Sequence, residues 1–242
     1  MSYGLGLVLA VVGALAAGLP LIAKTPAAQA TKTTKTENVK FAPGGTIRLR
    51  DSFGSLTVEG WDRPEVEVTV VKSLGFVSDS EQRSNQRLDD VHVVTERKSD
   101  TELEISTSAP ATGFLGHLWL KGHDAAVEYR IRAPRNSHLE INHAGYISIA
   151  GMTGDINATD RRGDIVLMLP DLAAYSIDAH TKAGLVMSDV AATTHKKHLV
   201  GENLSHGDAT VPHKLVLRMG FGGITIKQLP PEAVTPPQPE PK

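Results

Sequence analysis

The sequence predicts an all-β fold. From about residue 139 it reads as a solenoid-like stack of short parallel β-strands (β-helix-like). A strand-rich, sandwich-like or capping part precedes it. Three observations carry this reading. Apolar and polar residues alternate in short runs, as in Val66-Glu-Val68-Thr-Val70 and Val127-Glu-Tyr129-Arg-Ile131, which places apolar side chains on one face of a half-buried strand. A unit Gly-x-apolar-x-apolar recurs at Gly45, Gly54, Gly145, Gly154, Gly163, Gly184 and Gly222. The intervals are 18 residues from Gly145 to Gly163, 21 to Gly184 and 38 to Gly222, which suit a period of about 20 and hence stacked strands.

Taken in chain order, residues 5–23 form an apolar run with Lys24 behind it and Ala28-Gln29-Ala30 beyond. The small-x-small pattern is what signal peptidase cuts, so residues 1–30 read as a signal peptide. An uncleaved membrane anchor is the alternative, because no Lys or Arg precedes the run and Lys24, Lys32 and Lys35 follow it. Residues 31–43 are polar and read as a linker, and residues 44–228 as the β-repeat domain. From Gly45 to Ile131 the glycine spacing is irregular. The one helix candidate is the polar stretch Asp79 to Asp90, with Ser78 as N-cap. From Gly145 onward the inward positions are Ile147, Ile149, Ile156, Ile165, Leu167, Val186, Ile224 and Ile226. An antiparallel meander or sandwich is the alternative, because its turn glycines also recur about every ten residues. Residues 229–242 are a Pro-rich tail, because proline removes ladder donors.

The runs Gly54-Ser-Leu-Thr-Val-Glu-Gly-Trp-Asp62, Val127-Glu-Tyr-Arg-Ile-Arg-Ala-Pro134 and Gly145-Tyr-Ile-Ser-Ile-Ala-Gly-Met-Thr-Gly-Asp-Ile156 resemble the bacterial putative-adhesin family. That family is a β-strand-repeat domain of unknown function. Gly222-Gly-Ile-Thr-Ile226 fits the same pattern, so the resemblance covers roughly residues 44–228. It implies an exported or envelope-associated all-β domain and no catalytic residues.

Composition narrows the chemistry. The chain has 242 residues, a formal net charge of −2 and no cysteine. Near-neutrality speaks against a nucleic-acid partner. The lack of cysteine excludes disulfides, thiolate metal sites and thiol catalysis. His195, His198, His206 and His213 share one segment with Glu202 and Asp208, but Lys196 and Lys197 add positive charge among them. Asp155, Asp164 and Asp208 follow glycines at a spacing unlike a calcium-binding nonapeptide, and Asp is a common turn former. Asp160-Arg-Arg-Gly-Asp164 supplies hydrolase residue types, yet adjacent strand residues face opposite ways. Ser205-His-Gly-Asp208 meets the same objection. No cofactor, metal or catalytic residue is therefore expected.

One departure stands out. Residues after the repeat glycines are polar in most copies, but Val166, Met168, Leu185 and Met187 are apolar. Chain-order stacking would set Val166 beside Met187 and form an outward apolar strip, which is either covered by another segment of the chain and so internal core or a candidate interaction surface. The function expected is a non-enzymatic, exported cell-envelope module, an adhesin or scaffold domain. Its partner would be a protein, an envelope surface or a second copy, with membrane contact only through residues 5–23 if these are retained. The second reading is a carbohydrate-active enzyme on a β-helix, which needs carboxylates converging in a groove.

Overall fold

The computed structural model describes residues 32–74, 88–109, 125–191, 194–197, 200–207 and 210–230. Residues 1–30 and the tail beyond 230 lie outside these, as does most of Asp79–Asp90. Leu88 and Val91, at the end of that candidate helix, are buried in the core. None of the described helices is long and apolar enough to cross a membrane.

The protein is all-β, as the alternation predicts. Among the described residues fifteen strands join in one mixed sheet. They are β1 (Lys32–Lys40), β2 (Thr46–Trp61), β3 (Glu65–Leu74), β4 (His92–Ser99), β5 (Glu102–Ser108), β6 (Ala125–Pro134), β7 (His138–Ala150), β8 (Ile156–Arg162), β9 (Asp164–Leu169), β10 (Tyr175–Ala183), β11 (Val186–Ser188), β12 (Thr194–Lys197), β13 (Glu202–His206), β14 (His213–Phe221) and β15 (Ile224–Gln228).

The sheet has two arms. The long strands β2 and β7 run through both, changing direction near Gly54 and Gly145. In the first arm the order is β4-β5-β2-β7-β8-β14-β10-β13-β12, and in the second it is β1-β3-β6-β2-β7-β9-β15-β11. The pairings from β2 through β7, β8 and β14 to β10 are parallel, and so are β7-β9-β15-β11. The arms face one another across a single core. Thr107 on β5 shares a buried 2.8 Å hydrogen bond with Tyr129 on β6. The eight inward positions named from sequence all lie in this core, none more than 3% exposed. Ile165→Val should cost about 1 kcal/mol and lower the melting temperature by roughly 2–4 °C, readable by thermal denaturation.

Two expectations are corrected. Repeats do not stack in chain order: the β14-β15 repeat sits between β8-β9 and β10-β11. The described strands form a mixed sheet with antiparallel edges, β1-β3-β6 and β4-β5 at one end and β10-β13-β12 at the other. Length explains the order. β15 has five residues and is paired on both sides, whereas β11 has three and takes the terminal place. The second correction concerns residues 31–43. Lys32–Lys40 is not a linker but β1, antiparallel to β3. It is an exposed edge strand, so both its faces are polar and the period-two signal vanishes.

Candidate functional site

The bend between the arms concentrates the unusual chemistry. Gly54, Gly145, Gly163, Gly222 and Gly184 stack there in that spatial order, all with positive φ. Beside this ladder runs a buried row that the repeat reading missed. Ser52, His143, Asp160, Met219, Thr181 and Glu202 are register partners across six strands, each 4% exposed or less.

The row's polar members satisfy backbone groups of the bend, which a reversal of direction takes out of the regular ladder. His143 donates from Nε2 to the Gly54 carbonyl at 3.1 Å, which makes Nδ1 the acceptor of the Ser52 hydroxyl at 2.8 Å. Asp160 Oδ1 accepts the amides of Gly145 (3.2 Å) and Arg162 (3.1 Å). Thr181 donates to the Gly222 carbonyl at 3.0 Å, and Glu202 accepts the Val186 amide at 2.8 Å. Burial pushes His143 down to about 4. Burial likewise pushes Asp160 up to about 6, against the amides that favour its charge. Its second oxygen, Oδ2, is buried without a hydrogen bond. The sequence signal for Ser52, His143, Asp160 and Thr181 is a polar residue two or three places before a repeat glycine, in an inward slot; Glu202 carries no such signal.

Ser52, His143 and Asp160 are hydrolase residue types in adjacent strands. The geometry is not that of a nucleophilic triad. The serine bonds the Nδ1 that an orienting carboxylate would occupy, and Nε2 is spent on a carbonyl. No more than 1% of any of the three is exposed. The row braces the bend.

The sequence-derived candidates fall as follows. Asp155 Oδ1 accepts the Lys214 amide at 2.9 Å and Asp164 Oδ1 the Gly223 amide at 2.8 Å, so both glycine-following aspartates tie the next repeat's backbone. Asp155 also lies 3.6 Å from His138 Nδ1 and 3.7 Å from His213 Nδ1, beside an open pocket of about 390 Å³. Asp160 is buried and Asp164 exposed, so Asp160-Arg-Arg-Gly-Asp164 does not converge. His206 is occupied by the Ala191 carbonyl at 2.9 Å. His198 and Asp208 lie outside the described residues. Among the described residues no three His, Asp or Glu side chains are grouped to hold a metal ion.

The apolar strip is differently composed from its expected form. Val166 and Met187 are not side by side, because Thr225 of β15 lies between them in register. Val166 and Met168 are half-buried, and Lys227 is the neighbour of Met168. Leu185 and Met187, at the terminal strand, are 59% and 57% exposed.

No protein-family model and no curated protein matches the sequence. Solved structures do. A putative cell adhesion protein from Clostridium sporogenes superposes with a TM-score of 0.51 at 14% identity, over 83% of this chain and 100% of its own. A putative adhesin from Bacteroides fragilis (TM-score 0.30, 10% identity, 82% and 98% covered) and one from Parabacteroides distasonis (0.22, 10%, 81% and 97%) align more loosely. The sequence resemblance thus has its counterpart in three dimensions, and the chain shares its fold with the Clostridium sporogenes protein.

Proposed function

We propose that the chain is a non-enzymatic, exported cell-envelope domain that works as an adhesin-like contact or scaffold module. The paired arms act as a solenoid-like stack filled out of chain order. Residues 1–30 direct export or anchor the chain, and residues 229–242 serve as a Pro-rich tail. The observation that carries this reading is the exposure of Met187 on β11 and of Leu185 just before it, at the open end of the sheet. Apolar side chains left on a terminal strand mark a contact surface, and methionine suits adaptable contacts. The exposed strip Leu185–Met187, continued by the half-buried Val166 and Met168, is the docking face. The occupant favoured is a second copy, since β11 has β15 as its sole strand partner among the described residues and an open edge invites pairing.

The test is Leu185→Asp with Met187→Asp in the full chain. Both side chains are more than half exposed, so the melting temperature should stay within about 2 °C of the parent. Self-association in sedimentation velocity should fall at least tenfold. A fully retained association constant would remove the strip from the interface. Localisation with N-terminal sequencing tests the export reading separately.

A further inference from the structure

The outer side of the bend carries a second set of exposed apolar residues, and here cations accompany them. Phe221, at the end of β14, is 62% exposed. It stands in register between Arg162 and Ala183. Val200 is 65% exposed, and its carbonyl accepts the Gly184 amide at 2.8 Å. Gly201, beside it, packs against the carbonyls of Thr181 and Lys182. Leu185 follows Gly184 directly. Phe221, Val200, Leu185, Arg161, Arg162 and Lys182 therefore form one ridge along three neighbouring bends, at Gly163, Gly222 and Gly184.

The two arginines on this ridge differ from those elsewhere. Every other arginine among the described residues, from Arg48 to Arg218, makes a salt bridge. Arg161, Arg162 and Lys182 are exposed and make none. The nearby acids form no ion pair with them, although the Arg161 charge is felt by Asp160. Asp160 is buried beneath Arg161 with one oxygen on two amides, and Asp164 holds the Gly223 amide. In a chain of net charge −2 this positive charge is local.

We propose that this ridge docks on a membrane surface carrying anionic lipid. Phe221, Val200 and Leu185 enter the boundary between headgroups and acyl chains, and Arg161, Arg162 and Lys182 meet lipid phosphates. Three features select this occupant. Apolar side chains flanked by cations are the composition that binds anionic interfaces. The long basic stems cover apolar surface while their heads reach outward. The ridge lies on the convex side of a bend, which a deformable surface accommodates better than a flat protein face does. The inference rests on reading the chain as a contact module and names a partner class for it. It concerns a different surface from β11's outer face, with Leu185 alone shared.

The absence of cysteine permits a local probe. Phe221→Cys in the full chain is labelled with an environment-sensitive fluorophore. Val94→Cys, exposed on β4 at the far end of the same arm, is the control. Each is mixed with phosphatidylcholine vesicles with and without phosphatidylglycerol. The label at 221 should shift to the blue only with phosphatidylglycerol present, and the label at 94 should stay silent. Arg162→Glu with Lys182→Glu should weaken the response at least tenfold; Arg162→Gln with Lys182→Gln gives the same comparison if the charge reversal unfolds the chain. A label at 94 that responds as strongly overturns the proposal, because another segment such as residues 5–23 then makes the contact. A silent label at 221 overturns it, as does one that shifts with protein concentration alone. A silent ridge would leave the contact-module reading to the Leu185/Met187 test.

Discussion

Gly163→Ala should cost the fold about 4 kcal/mol, a fall in melting temperature of roughly 8–16 °C. Two effects add. Gly163 has φ +141°, a region that residues with a Cβ avoid. A Cβ there would lie 1.7 Å from the Gly145 carbonyl oxygen and 2.3 Å from its carbon. Both atoms are backbone, held by pairing of β7 with β8 and β9, so the bend itself must move. Gly44→Ala separates the two effects. Its φ is +81°, but the nearest atom to a Cβ would be 3.9 Å away, so only the conformational cost of about 1–2 kcal/mol remains. Urea denaturation of both variants reads the difference. Equal losses at the two positions would mean that close stacking of the glycines contributes nothing.

The same glycines explain how much of the fold was legible in the sequence. Ile147, Ile165 and Ile224 sit two residues after their glycines, and all three are buried, because a repeat that reverses direction at one point fixes which face turns inward. The order of the repeats was not legible. Gly163, Gly184 and Gly222 have similar local signatures, and their stacking is decided by strand length and by the β13 edge, both properties of the assembled sheet. β1 escaped notice because an edge strand exposed on both faces has no alternation to show. Leu185 and Met187 are exposed, which their departure from the repeat left open, and Val166 is separated from them by Thr225. His143 and the bracing role of Asp160 were not legible, because a polar residue in an inward slot reads as a break in the pattern until its backbone partners are visible.

Stability between pH 7 and pH 4 should respond oppositely to changes at His143 and Asp160. His143 titrates at about 4 in the fold against 6.5 ordinarily. The fold prefers the neutral ring, so the stability it contributes is present above pH 6.5 and lost as pH falls through 4. Asp160 titrates at about 6 against 3.8. The fold prefers the neutral acid, so its contribution is present below pH 3.8 and lost as pH rises through 6. Near pH 5 the folded chain holds the Asp160 proton and the unfolded chain the His143 proton. The proton counts match, and the slope from this pair cancels. Removing one member exposes the other. Asp160→Asn keeps an oxygen for the amides of Gly145 and Arg162 and removes the buried charge. Relative to the parent it should lose about 2 kcal/mol on acidification from pH 7 to 4, at about 1.4 kcal/mol per pH unit. His143→Asn should instead gain about 3 kcal/mol relative to the parent over the same range. Urea denaturation at pH 7, 5.5 and 4 gives the three slopes. Parallel slopes for parent and both variants would show that neither group titrates differently in the fold. A steeper acid loss in His143→Asn would reverse the sign argued for Asp160.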